Sequence, residues 1–163
     1  MPMLETKEAA RAASLTVLLV DDDKDDLWLV ERLFRKSVPG GQRLNVVAKI
    51  GGTAALQWIG EAQDAGGPLP DLIVLDINMP GLSGLELLAV LRARPVLLAT
   101  PILMLTTSND KDLAEQARRA GANAVLTKPD TMEKLEDLIR DVRDTWLRLP
   151  VSGTARARRQ ASG

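Results

Sequence analysis

Five short apolar runs, separated by stretches of helical spacing, leave this chain few folds to choose from. The runs cover residues 15–20, the more polar 44–49, 72–75, 101–105 and 124–126. Short continuous apolar segments are the mark of strands buried on both faces. Between them apolar residues recur every three or four positions. The sets are Leu27, Val30, Leu33 and Phe34; Ala55, Leu56, Ile59 and Ala62; Leu85, Leu88 and Leu91; Leu113, Ala117 and Ala120; Leu135, Leu138, Ile139 and Val142. Strand and helix in strict alternation predict an α/β fold: a flavodoxin-like, doubly wound five-stranded parallel sheet in the order 2-1-3-4-5. The more polar second strand belongs at an edge. Asp23 or Asp25 is placed to cap the first helix and Thr53 the second.

The flanks read differently. Residues 1–13 favour helix but show no apolar stripe, so they are expected to be an arm outside the domain at 14–149. Residues 150–163 combine small residues with Arg156, Arg158 and Arg159, the composition of a disordered basic tail. Three arginines without aromatics make a weak footprint for nucleic acid, and the formal net charge of -1 adds no general field for it. No apolar run approaches the roughly 20 residues needed to cross a bilayer. Residues 1–13 also lack the apolar core of a secretory signal. The expected setting is cytoplasmic.

The chain has no cysteine and no histidine. That excludes thiol nucleophiles, Ser-His-Asp triads and imidazole- or thiolate-held metals. Carboxylate, lysine, hydroxyl and backbone chemistry remain, a set suited to a hard cation such as Mg²⁺.

In a doubly wound sheet, ligands bind beyond the carboxyl ends of the strands. The polar residues there include Asp21 and Asp22 after run one, Asp76 after run three, Thr106 after run four and Lys128, following Thr127, after run five. Clustered carboxylates repel unless a cation lies among them, and Mg²⁺ relieves that repulsion. The reading that follows makes Asp76 a nucleophile toward phosphorus, with the Thr106 hydroxyl and the Lys128 ammonium on the phosphoryl oxygens. Asp21, Asp22, Asp76 and the Asn78 backbone oxygen are the expected metal ligands. The Asn78 and Ser108 side chains flank the site and are expected to tune loss of the phosphoryl group. Each feature has a plainer counterpart when taken alone: Asp21 to Asp23 as a helix cap, Thr106-Thr107 as a turn signal, Lys128 as a solvated loop lysine. Their coincidence at four strand ends favours the site.

At these residues the chain resembles the receiver domain of two-component response regulators. The likeness rests on Asp21-Asp22, on Leu75-Asp76-Ile77-Asn78-Met79-Pro80-Gly81 with Gly84, on Leu105-Thr106 and on Thr127-Lys128-Pro129. It implies a signalling protein rather than an enzyme, phosphorylated on Asp76 by a separate sensor histidine kinase. It also implies a cis peptide before Pro129. Receivers often carry Tyr or Phe on the fifth strand, where this chain has Val125, so the usual aromatic switch is absent. The extension Trp146-Leu147-Arg148-Leu149-Pro150 is similar to that of stand-alone regulators paired with bacterial phytochrome kinases. That likeness implies a homodimer through the fourth helix, fifth strand and fifth helix, with Trp146, Leu147 and Leu149 as anchors. Two other readings are weighed against it. An aspartyl phosphatase usually needs an acid where Asn78 stands, and a constitutive scaffold has no use for Asp76, Thr106 and Lys128 together.

Overall fold

The computed structural model describes residues 14–40 and 43–147. The expected arm at 1–13, the basic tail, and Leu149 lie outside the described residues. Strand β1 (Ser14–Asp21) leads to helix α1 (Lys24–Ser37), β2 (Arg43–Ile50), α2 (Gly52–Asp64) and β3 (Leu72–Asp76). Helix α3 (Gly84–Arg92), a single 3-10 turn (Pro95–Leu97), β4 (Ile102–Thr106), α4 (Lys111–Arg119), β5 (Ala124–Thr127) and α5 (Met132–Trp146) complete the domain. All strand pairings are parallel, in the order β2-β1-β3-β4-β5. The order and the edge position of β2 are those the apolar runs predict.

Successive strand residues face opposite sides of the sheet, so each strand feeds two cores. Val17, Leu19, Val74, Leu103 and Leu105 pack with Phe34 of α1 and with Leu135, Ile139 and Val142 of α5. Leu18, Val20, Ile73, Leu75 and Met104 pack on the other face with Ile59 of α2, Leu87, Leu88 and Leu91 of α3, and Ala117 of α4. The side chain buried on α3 in addition to the expected Leu88 and Leu91 is Leu87, with Leu85 only partly covered. Helix α4 buries a single residue, Ala117, and is the least anchored of the five.

Three local expectations change. Helix α2 is not capped by Thr53. Its N-cap is Gly51 at φ +85, a backbone region that glycine enters freely, and the helix starts at Gly52. No peptide among the described residues is cis, so the Lys128–Pro129 bond is trans, the isomer such bonds favour by about 0.5–1 kcal/mol. Leu147 is not a surface anchor. Helix α5 ends at Trp146, and Leu147 then turns under the helix, its N–H donating to the Arg143 carbonyl at 3.0 Å. That turn leaves Leu147 only 2% exposed, in the α1/α5 core, where half-buried Trp146 also packs.

The amino-terminal rim of β4 and β5 is tied together by Arg92. Its guanidinium donates to the carbonyls of Gly121 (2.9 Å), Leu97 (2.9 Å) and Thr100 (2.8 Å) and to the Asn123 side-chain oxygen (2.7 Å). Burial lowers the Arg92 pKa from its ordinary value.

Candidate functional site

Strand ends fix where the polar groups stand. Asp21 closes β1 and Asp76 closes β3, and β1 and β3 are adjacent in the sheet. One carboxylate oxygen from each of Asp21, Asp22 and Asp76 falls within 4.8 Å of the others. Ligand oxygens on one octahedral Mg²⁺-sized ion, at about 2.1 Å each, stand no more than about 4.2 Å apart. Three carboxylate oxygens gathered to about that separation make a donor set that fits a hard divalent cation. Asp21 is buried, Asp76 half-buried and Asp22 exposed, which gives such an ion one open side.

Loop chemistry holds the site in place. The Asp21 carboxylate accepts from the Asp23 N–H (3.0 Å), and Asp23 caps α1 by accepting from Asp25 N (2.9 Å) and Asp26 N (3.3 Å). Past Asp76 the chain turns at Gly81 (φ +74) into α3, whose start is sealed by reciprocal Ser83–Glu86 capping bonds. There Gly84 N donates to the Ile77 carbonyl at 3.0 Å, pressing the helix start against the backbone of Asp76 and Ile77. The Asn78 N–H reaches the Asp76 carboxylate at 3.4 Å.

Lys128 stands across from the acids. Its Nζ lies 3.1 Å from Asp21 Oδ2 and 3.3 Å from Asp26 Oδ2. Asp26 is the charged neighbour that sequence reasoning missed. The cap at Asp23 was legible, and it brings the first turn of α1 to face the rim. Thr106 is buried, and its hydroxyl oxygen accepts from Ser108 N at 3.0 Å. Ser108 in turn accepts from Asp110 N at 3.1 Å, ahead of α4. These two hydroxyls therefore organise the β4–α4 loop. Val125 pairs with Met104 and packs, partly buried, against the α2/α3/α4 core.

Charge and burial shift two groups. Burial first, then the neighbouring Asp21 charge, push the Asp76 carboxyl up from 3.8 to about 7 against the pull of Lys128 and the Asn78 N–H. Burial disfavours the Lys128 ammonium, but the charge and hydrogen bond of Asp21, then Asp76 and Asp26, outweigh it and raise its pKa. A carboxyl raised on folding binds a proton that the unfolded chain has lost. Its contribution to stability is full below about pH 4 and is lost as pH rises to about 7. In EDTA, the Tm of the wild type is expected to fall across that window relative to Asp76→Asn, leaving the variant the more stable above it. Saturating Mg²⁺ should remove the variant's advantage, because the cation binds the charged Asp76 of the wild type. Parallel Tm curves for the two proteins in EDTA would refute the electrostatic conflict at Asp76.

Fold and site together define a flavodoxin-like domain with a carboxylate cluster facing a lysine at its sheet rim. A family model described as response regulator receiver domain matches residues 17–140. The chain belongs to that family. It is 31% identical over 131 residues to response regulator Rcp1 of Synechocystis sp. strain PCC 6803, covering 80% of this chain and 88% of Rcp1. The crystal structure of the phosphorylated cyanobacterial phytochrome response regulator RcpA matches with a TM-score of 0.75 at 26% identity, covering 85% of this chain and 98% of that one. The Mn²⁺-bound form of Rcp1 matches at 0.71 and 28%, covering 84% and 99%. Among the described residues, no helix is long and apolar enough to cross a membrane.

Proposed function

We propose that this response regulator accepts a phosphoryl group on Asp76 from a phosphohistidine of a sensor kinase and signals through altered contacts with a protein partner. The observation that carries this reading is the convergence of Asp21, Asp22 and Asp76 within 4.8 Å, with Lys128 on the same rim. An Asp76 carboxylate oxygen attacks phosphorus, the P–N bond breaks, and the imidazole leaves with the bonding pair and takes up a proton. The product is an acyl phosphate on Asp76. Such transfer asks the protein chiefly to align the group and neutralise its equatorial oxygens. Asp21, Asp22, Asp76 and the Asn78 backbone oxygen are the residues that would hold Mg²⁺, which when bound offsets the charge on the carboxylates and on one phosphoryl oxygen. Lys128 and the Thr106 hydroxyl serve the other two oxygens. Asn78 and Ser108, flanking the site, govern access of the hydrolytic water.

With no histidine of its own, the chain takes its phosphoryl group from another molecule. The likeness to RcpA, a phytochrome response regulator, makes a phytochrome-type kinase the favoured donor. The output surface is that of α4, β5 and α5. Because Val125 has no ring to swing and α4 buries only Ala117, the response is carried by movement of α4. With Leu147 in the core, self-association through this surface rests on half-buried Trp146.

The test is labelling by a phosphorylated phytochrome-type kinase and by a small acyl phosphate, with and without Mg²⁺. A Mg²⁺-dependent, hydroxylamine-labile label is expected on the peptide carrying Asp76, and none on Asp76→Asn. Label that persists in that variant places the acceptor elsewhere and overturns the reading.

A further inference from the structure

Lys128 does not face its expected phosphoryl partner alone. Its two close carboxylates are Asp21 at 3.1 Å and Asp26 at 3.3 Å, and among the described residues no Lys128–Asp76 ion pair is formed. Asp21 belongs to the metal-holding set, so a bound cation competes with Lys128 for it. Asp26 does not: it sits in the first turn of α1, half exposed, outside the group of three acids. The Lys128 side chain is only 14% exposed, so its ammonium has little water to fall back on. Asp26 is held in turn by the α1 cap, where its N–H donates to Asp23.

We infer that Asp26 is a positioning residue for phosphoryl transfer, holding the Lys128 ammonium on the α1 side of the site until the phosphoryl group draws it across. This rests on the phosphoacceptor reading of Asp76. With Asp21 drawn to the cation, Lys128 has two anionic partners at different positions: the Asp26 carboxylate in the resting protein and the phosphoryl oxygens after transfer. The balance between them sets how strongly the phosphorylated state is favoured. An ammonium has three donors but one centre of charge, and moving it toward Asp76 lengthens the distance to Asp26. Removing Asp26 takes away the resting partner that the cation does not claim and leaves the phosphoryl partner intact.

The experiment is calorimetric titration of the full chain with beryllofluoride, a phosphoryl mimic, in saturating Mg²⁺. Asp26→Asn is expected to bind about threefold more tightly than wild type, the scale of a half-exposed ion pair. Asp26→Glu keeps the carboxylate and should return to wild-type affinity. Asp25→Asn removes the same charge one residue away, where no contact with Lys128 exists, and should change affinity little. A loss of cap stability alone would not produce tighter binding. Equal tightening by Asp25→Asn and Asp26→Asn would reduce the effect to through-space charge and overturn the inference, as would unchanged or weaker binding by Asp26→Asn. Wild-type protein that fails to bind beryllofluoride with Mg²⁺ would instead bring down the phosphoacceptor reading itself, and this inference with it.

Discussion

Lys128→Ala is expected to lower the stability of the metal-free protein by about 3 kcal/mol, the usual scale for stripping one partner from a buried ion pair. The reason is Asp21, whose side chain is 9% exposed and keeps no other ion-pair partner among the described residues. Its charge would then repel that of Asp76 across a poorly hydrated rim whenever Asp76, pushed up further by the loss of Lys128, ionises. A divalent cation answers that repulsion, and it no longer competes with an ammonium for Asp21. Mg²⁺ should therefore bind the variant about tenfold more tightly or better, while the response to beryllofluoride is largely lost. The two effects move in opposite directions, which sets them apart from general misfolding. Calorimetric Mg²⁺ titration, urea unfolding in EDTA and beryllofluoride titration read all three. Weaker Mg²⁺ binding, or a beryllofluoride response like that of wild type, would remove Lys128 from the site.

Gly84→Ala is the other large effect. A Cβ at Gly84 would overlap the Asp76 carbonyl oxygen and stand 2.6 Å from Ile77 Cα and 2.9 Å from the Ile77 carbonyl oxygen. All three are backbone atoms, so no side chain can rotate away. Relief requires α3 to lift from the loop that presents Asp76, against the Gly84 N to Ile77 O bond and the burial of Leu87, Leu88 and Leu91. A loss of about 3 kcal/mol is expected, at the upper end of overpacking costs. Because the strain falls on the Asp76 and Ile77 backbone, Mg²⁺ affinity should fall as well. Gly60→Ala is the matched control: it lies inside α2 with nothing within 4 Å of the new methyl group. There the exchange should add about 0.5–1 kcal/mol through helix propensity. Urea unfolding of the two variants side by side checks both. A Gly84→Ala protein as stable as wild type would mean that α3 does not press on the Asp76 loop.

What the sequence made legible is the part written in local pattern. Each buried run ends at its first polar residue, and for Asp21, Asp76 and Thr106 that is also where the strand ends. Once the strand order is known, the acids can only meet at one rim. The cap at Asp23 is equally local. Asp26 escaped notice because its contact joins residues 102 apart in the chain, and a first-turn aspartate looks the same whether it faces water or a lysine. Thr53 looked like a cap because threonine often is one, but a positive-φ turn at Gly51 set the helix start two residues earlier. Leu147 misled for a related reason. Helical spacing carries the core stripe from Val142 to Trp146, and nothing local announces that the chain leaves the helix there and folds Leu147 beneath it.

The Arg92 clamp has a consequence for how this molecule keeps its shape while its charge changes. All four of its oxygen partners are neutral amides. None of them titrates, binds a divalent ion strongly or receives phosphate, and a guanidinium stays protonated throughout the working range even when burial weakens it. The floor of the sheet is thus indifferent to every event proposed for its ceiling. Whatever shifts when the acids are neutralised or loaded does so above a plate whose own bonds are chemically deaf to the signal.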